Sequence, residues 1–258
     1  MTSLMLTLIG GPTALIEIDG FRLLTDPTFD APGEYELPYT RLVKTQGPAL
    51  GPAAIGTVDA VLLSHDQHFD NLDHAGKAFL GTANRVLTTR ASAQRLGGQT
   101  EGLAPWESAV LTKPEGRPLT VTATPARHGP VGIEPLSGDV IGFVLRVEDL
   151  AAPPIYITGD TVWYEGTAEI ARRFQAGLVM PFAGAAQTRG PFHLTMDVND
   201  ALETAAAFPD ALIVPLHCDG WQHLTQSRDD LRRSFDALGL GARLLMLKPG
   251  VATAIPVR

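Results

Sequence analysis

Leu63-Ser64-His65-Asp66-Gln67-His68-Phe69-Asp70-Asn71-Leu72-Asp73-His74 is the segment from which this sequence is best read. An apolar run, Val61 to Leu63, ends abruptly in imidazoles and carboxylates, and three of the chain's seven histidines fall between positions 65 and 74. Burying such groups unpaired is costly, so they need a shared partner. A divalent cation is the simplest one, because neutral imidazole and carboxylate are its ordinary ligands.

Three more segments have the same form. Val121 to Ala126 leads to His128, Ile155 to Thr158 leads through Gly159 to Asp160, and Ile213 to Leu216 leads to His217. A histidine after one strand is commonplace, and Gly-Asp is an ordinary turn. Four apolar strands each delivering a ligand type at its end form a pattern, since sites gather where strand ends and their loops converge.

Around these segments the chain alternates between short β-rich runs and amphipathic helices. Leu4 to Ile9, Ala14 to Ile18 and Phe21 to Leu24 read as successive strands, the last two joined at Asp19-Gly20, a hairpin signal. Further strands are expected at 58–63, 85–88, 119–123, 141–147, 154–158, 178–181, 212–215, 244–247 and 253–256. Helices are expected at 169–174, at 197–208 with Thr195 as N-cap, and at 229–238 with Ser227 to Asp230 as cap and acidic first turn. Residues 31–57, rich in Pro and Gly, read as one long loop. Its Tyr35, Leu37, Tyr39 and Leu42 suggest a flap over a pocket. A β meander followed by alternating strands and helices fits one layered α/β domain over residues 1–258.

Composition removes several function classes. The formal charge of the 258-residue chain is −8, and its best basic cluster, Arg232-Arg233, adjoins Asp229 and Asp230, so nucleic acid is not an expected partner. Cys218 is the only cysteine, which leaves no intramolecular disulfide. The first basic residue is Arg22, so no secretory leader is recognised at the N-terminus. No apolar run nears the roughly 20 residues that span a bilayer. The expected location is the cytoplasm, with a small-molecule substrate, no stable membrane association and an oligomeric state left open.

The order of these elements resembles the metallo-β-lactamase superfamily, and most closely its branch of ascorbate-6-phosphate lactonases and N-acyl-phosphatidylethanolamine phospholipase D. Leu6-Thr7-Leu8-Ile9-Gly10, Leu24-Thr25-Asp26-Pro27, Ser64 to Asp73 and Thr124-Pro125-Ala126-Arg127-His128 carry the resemblance. Thr158-Gly159-Asp160-Thr161 and Pro215-Leu216-His217 extend it over nearly the whole chain. It implies a four-layer αββα sandwich with a metal site along one edge of the paired sheets. The superfamily's H-x-H-x-D-H signature is altered here. One residue is inserted between His65 and His68, with Gln67 where a strict spacing puts the second histidine, and Asn71 replaces the last one.

Carried over onto this chain, the resemblance implies that His65, His68 and His128 hold a first metal and that Asp160 bridges two. It gives Asp70, Asn71 and His217 to the second metal, with Asp70 and Asp160 as the catalytic carboxylates. An amide oxygen is a weaker donor than imidazole, so the second site should bind less tightly. One or two divalent transition ions are expected, zinc first, with manganese, iron or nickel also suited to the donors. His193, Trp221 and His223 are candidates for substrate contact, Asp26 for a carboxylate bracing the metal loop, and His74 for a helix-start residue. The expected activity is metal-dependent hydrolysis of an ester, lactone or phosphodiester. The alternative is a metal-binding small-molecule sensor without turnover.

Overall fold

A computed structural model of the chain describes residues 4–38 and 40–256. Two sheets face each other. The first has the order β15-β1-β2-β3-β6-β7-β8: β1 (Leu4–Gly10), β2 (Thr13–Ile18), β3 (Phe21–Thr25), β6 (Ala60–Leu62), β7 (Val86–Thr89), β8 (Thr100–Leu103) and β15 (Thr253–Ile255). The second has the order β14-β13-β12-β11-β10-β9: β9 (Ser108–Leu111), β10 (Leu119–Pro125), β11 (Ile141–Val147), β12 (Ile155–Ile157), β13 (Leu178–Met180) and β14 (Leu212–Ile213).

Alternation along the strands builds the layers, because successive side chains leave a sheet on opposite faces. Leu23, Ala60, Leu62, Ile155, Ile157, Leu178 and Met180 join the core between the sheets. Their neighbours Leu24, Val61 and Leu63 point outward from the first sheet, under α1 (Pro52–Ile55) and α2 (His74–Phe79) through Ile55 and Phe79. Tyr156 and Val179 point outward from the second sheet, under α5 (Glu165–Arg173), α6 (Val198–Ala207) and α7 (Arg228–Ala237) through Ile170, Ala201, Ala205, Leu231 and Phe235. The result is the expected αββα sandwich. Two further helices, α3 (Arg90–Leu96) and α4 (Glu134–Ser137), complete the set of α-helices among the described residues.

Several details depart from the sequence expectation. Residues 31–57 are not one loop: β4 (Gly33–Leu37) and β5 (Thr40–Lys44) pair as an antiparallel hairpin, followed by α1. Tyr39, expected in the flap, lies outside the described residues. Leu244 to Leu247 makes no strand, only an isolated bridge from Leu244 to Ile213. The helix expected at 169 begins at Glu165, where Thr167 and Tyr164 form a capping box. Asp197, not Thr195, caps α6, while Thr195 Oγ1 accepts from the Ala186 N–H. Strands β8 and β9 and helices α2 and α3 are too short, at four to seven residues, to show a clear period.

Candidate metal centre

The C-terminal ends of β6, β10, β12 and β14 open onto one edge of the sandwich, and each hands over a polar side chain within a few residues. His65, His128, Asp160 and His217 are all buried. Gly159 has a φ of +61°, and a Cβ there would meet the Ile141 carbonyl oxygen at 2.6 Å, so only glycine fits this turn into Asp160. His217 adopts a φ of +53°, a conformation most side chains avoid, and its N–H donates to the Gly11 carbonyl at 2.8 Å. Such backbone strain persists only where the surroundings over-determine it.

Two groups of ligand types converge. In the first, His65 Nε2 and His128 Nε2 stand 2.9 and 3.1 Å from His68 Nδ1. Asp160 Oδ2 lies 3.5 Å from His128 Nε2. In the second, Asp70 Oδ2 lies 2.8 Å from His223 Nε2 and 3.3 Å from His217 Nε2. The ligand atoms within each group lie within 4.8 Å of one another. The other oxygen of Asp160 points toward the second group, 3.9 Å from His217 Nε2. One carboxylate therefore faces both.

Neighbouring hydrogen bonds settle which nitrogens carry lone pairs. His128 Nδ1 donates to the Leu194 carbonyl at 2.7 Å, so the neutral ring leaves Nε2 bare. Asp26 Oδ1 accepts from the Ser64 N–H at 2.6 Å and Asp26 Oδ2 from the Ser64 hydroxyl at 2.7 Å. With Asp26 ionised, that hydroxyl's one hydrogen is used, and it accepts from His65 Nδ1 at 3.0 Å. His65 Nε2 is then bare as well. A single proton on His68 Nδ1 can serve only one of these lone pairs, and the remainder repel unless a cation sits among them. Asp160 Oδ1, His217 Nε2 and His223 Nδ1 are likewise buried without hydrogen-bond partners. This donor set fits a divalent transition metal in each group.

Electrostatics agree with that assignment and separate the two groups. Burial, reinforced by neighbouring imidazoles, lowers His65 well below the usual histidine value and brings His68 to about 4. Burial also brings His128 to about 4, so these rings are neutral near pH 7. In the second group burial likewise favours neutral forms, but Asp70 and His217 hold each other charged, Asp70 well below the carboxylate range and His217 above its usual value. Burial pushes Asp160 up to about 6 and Asp26 up to about 7, the latter against hydrogen bonds from Ser64 that favour the carboxylate.

The remaining sequence candidates fall in different places. Asn71 is buried, its Nδ2 donating to Asp26 Oδ2 at 3.2 Å and its Oδ1 left without a hydrogen-bond partner, while His223 stands beside Asp70 and His217. No spacing rule points to His223, six residues after His217 in an irregular loop. Gln67 packs against Gly138 instead of entering the group, so the one-residue insertion that selects His68 matches the geometry. His193 Nδ1 pairs with Asp197, the cap of α6, at 3.0 Å. Trp221 is buried against Tyr35 and Leu42. Neither His193 nor Trp221 lines the small cavity at the metal groups, which is bounded by Leu37, Thr40, Leu42, Thr188, Arg189 and Leu194. His74 begins α2, as expected. A much larger cavity, about 710 Å³, opens at the opposite ends of β12, β13 and β14, but none of the converging histidines borders it.

Paired sheets with a histidine–aspartate cluster along one edge define a protein of the metallo-β-lactamase fold with a candidate metal site. A family model described as beta-lactamase superfamily domain matches residues 21–218, and the chain belongs to that superfamily. The match ends before His223. Over 256 residues the chain is 27% identical to the UPF0173 protein YddR of Bacillus subtilis, covering 95% of this chain and 97% of that one. A UPF0173 metal-dependent hydrolase of Caldivirga maquilingensis is 24% identical, with 94% of each chain covered. Among solved structures, the isothiocyanate hydrolase from Delia radicum gut bacteria shares the fold with a TM-score of 0.83 at 24% identity, over 97% of this chain and 99% of that one.

Proposed function

We propose that the chain hydrolyses an ester, lactone or phosphodiester of a small molecule with two bound divalent metals, zinc being the expected ion. The observation that carries this reading is the Asp160 carboxylate, one oxygen facing the His65–His68–His128 group and the other facing His217. His65, His68, His128 and Asp160 would hold one ion, and Asp70, His217 and His223 the other, with Asp160 shared. Bound there, the metal supplies Lewis acidity, which brings the pKa of water to roughly 7 and offsets developing oxyanion charge.

The chain's own side chains do the rest. Asp26 fixes the His65 tautomer through the Ser64 hydroxyl, and the Leu194 carbonyl fixes that of His128. Asp70, kept ionised by His223 and His217, would serve as a charged donor of the second group and orient the attacking water. Leu37, Thr40 and Leu42 of the β4–β5 hairpin close over a cavity of about 40 Å³, which holds water but no ester. The hairpin therefore acts as the flap over the metal groups, and its apolar lining excludes bulk water. A cytoplasmic location and the absence of nucleic-acid partners belong to the same reading, the latter resting on the net charge of −8.

Elemental analysis followed by a substrate panel tests this. The panel contains an aryl ester, a lactone, an aryl phosphodiester and, prompted by the structural neighbour's name, an isothiocyanate. We expect bound transition metal and turnover of at least one member that is abolished by chelation and restored by zinc. Metal-replete protein inert toward all of them would contradict hydrolysis and favour a sensor.

A further inference from the structure

The hairpin does more than cover the cavity: it is fastened to both loops that supply the second metal group. Strand β5 runs alongside residues 220–222, with the Thr45 N–H donating to the Gly220 carbonyl at 2.8 Å and the Gln222 N–H to the Val43 carbonyl at 2.9 Å. Lys44 and Trp221 face each other across that pairing as an antiparallel bridge. These bonds brace the loop from His217 to His223. The Lys44 side chain leaves in another direction. Its Nζ reaches Asp73 Oδ2 at 2.8 Å, with 4% of the lysine side chain exposed and none of the aspartate's.

Asp73 is itself immobile. Its Oδ1 accepts from the N–H groups of Phe29 and Gly76 at 2.9 and 2.8 Å, and its Oδ2 from that of Asp30 at 2.7 Å. Gly76 sits so close that a Cβ would lie 1.8 Å from the Pro27 carbonyl oxygen, which fixes the N-terminus of α2 at the end of the 65–74 loop. A second tie runs parallel to the first: Tyr35 of β4 stacks on Phe69 at 4.8 Å, and its hydroxyl donates to Asp30 at 2.9 Å. Phe69 lies between His68 and Asp70 in the chain.

The geometry points to Lys44 as a positioning residue of the second metal group. The backbone of its neighbours Val43 and Thr45 holds the loop that carries His217 and His223, and its ammonium holds the loop that carries Asp70. The 2.8 Å approach of His223 to Asp70 spans those same two loops. A buried lysine–aspartate pair gives little net stability over a well-packed apolar pair, so its consequence here is register between the loops. Three members of the first group, His65, His128 and Asp160, follow directly from strands, and only His68 shares the loop that carries Asp70. This inference rests on the two-metal reading above.

Calorimetric titration of zinc into chelated protein tests it, using Lys44→Met, Tyr35→Leu and, as control, Arg41→Ala on the exposed face of the hairpin. We expect two events in the wild type and in Arg41→Ala. In Lys44→Met and Tyr35→Leu the tighter event stays within about threefold while the weaker loses at least tenfold in affinity. Should Lys44→Met fail to fold, Lys44→Gln, which keeps a polar side chain at this position but removes the charge and shortens the reach to Asp73, carries the test with the same expected outcome. Unchanged second events in the folded variants, or equal weakening of both events, would overturn the positioning role. A single event in the wild type would also overturn it and leave one-metal hydrolysis standing. A wild type that binds no zinc would instead remove the proposed function.

Discussion

The two metal groups are built from different materials. His65, His128 and Asp160 follow sheet strands closely, and their rings and carboxylate are backed by fixed partners: the Ser64–Asp26 relay, the Leu194 carbonyl and the Gly159 turn. Asp70 and His223 sit on irregular loops and depend on the hairpin for their relative placement, while His217, in a left-handed conformation, follows β14. The first group is pre-shaped mainly by the sheets, whereas the second takes two of its three members from loops outside them. Unequal metal affinity follows, with the first group filling before the second.

The largest effect should come from the residue that both groups share. Asp160→Asn keeps the shape and removes the charge, so turnover of the best panel substrate should fall at least roughly a thousandfold. Thermal melting of the chelated protein should be nearly unchanged. Activity within tenfold of wild type, at normal metal content, would dissolve the bridge between the groups. His223→Ala comes next. It removes one donor from the loop-built group, and zinc titration should show the second event weakened by about a hundredfold with the first intact. A first event that weakens equally would mean the groups are not separable.

Asp26→Asn probes the support behind the first group. Loss of a carboxylate that orients a ligating histidine typically costs about 10- to 100-fold in metal affinity, and here the loss should fall on the first event. A drop confined to the second event would contradict the relay through Ser64.

The smallest effect is the one on pH. Burial keeps His68 and His128 unprotonated down to about 4, so the first event should vary little well above pH 7 and weaken as Asp26, at about 7, and then Asp160, at about 6, take up protons. His217 has the opposite sign: Asp70 and Asp160 hold its proton on above the usual histidine value of 6.5, overriding burial, and a metal must displace it. The second event should therefore weaken as pH falls, beginning above 6.5. Parallel pH profiles for the two events would erase the electrostatic difference between the groups.

This contrast also explains what was legible in the sequence. Leu63-Ser64-His65 and Thr158-Gly159-Asp160 announce themselves, since an apolar strand that ends in a ligand type is visible without structure. His68 required a choice of register around Gln67, which the side-chain chemistry could make. His223 was harder to place, because a loop carries no period that says which of its side chains turn inward. The hairpin was hidden for a related reason. Among its described residues only Tyr35, Leu42 and Lys44 are buried, the first two paired across β4 and β5. Such a short, mostly exposed alternation in a Pro/Gly-rich stretch reads as loop. Asn71 was placed by resemblance alone, and the buried Asp26 carboxylate, which draws its amide, leaves no mark in the local sequence.

The most direct test of two unequal groups is zinc titration into metal-free wild type and His128→Ala, read as stoichiometry and affinity for each event. The account predicts two unequal events in the wild type and loss of the tighter one in His128→Ala, with the weaker one persisting at the reduced affinity of a group that has lost its neighbour. Two events of unchanged affinity in His128→Ala would contradict it.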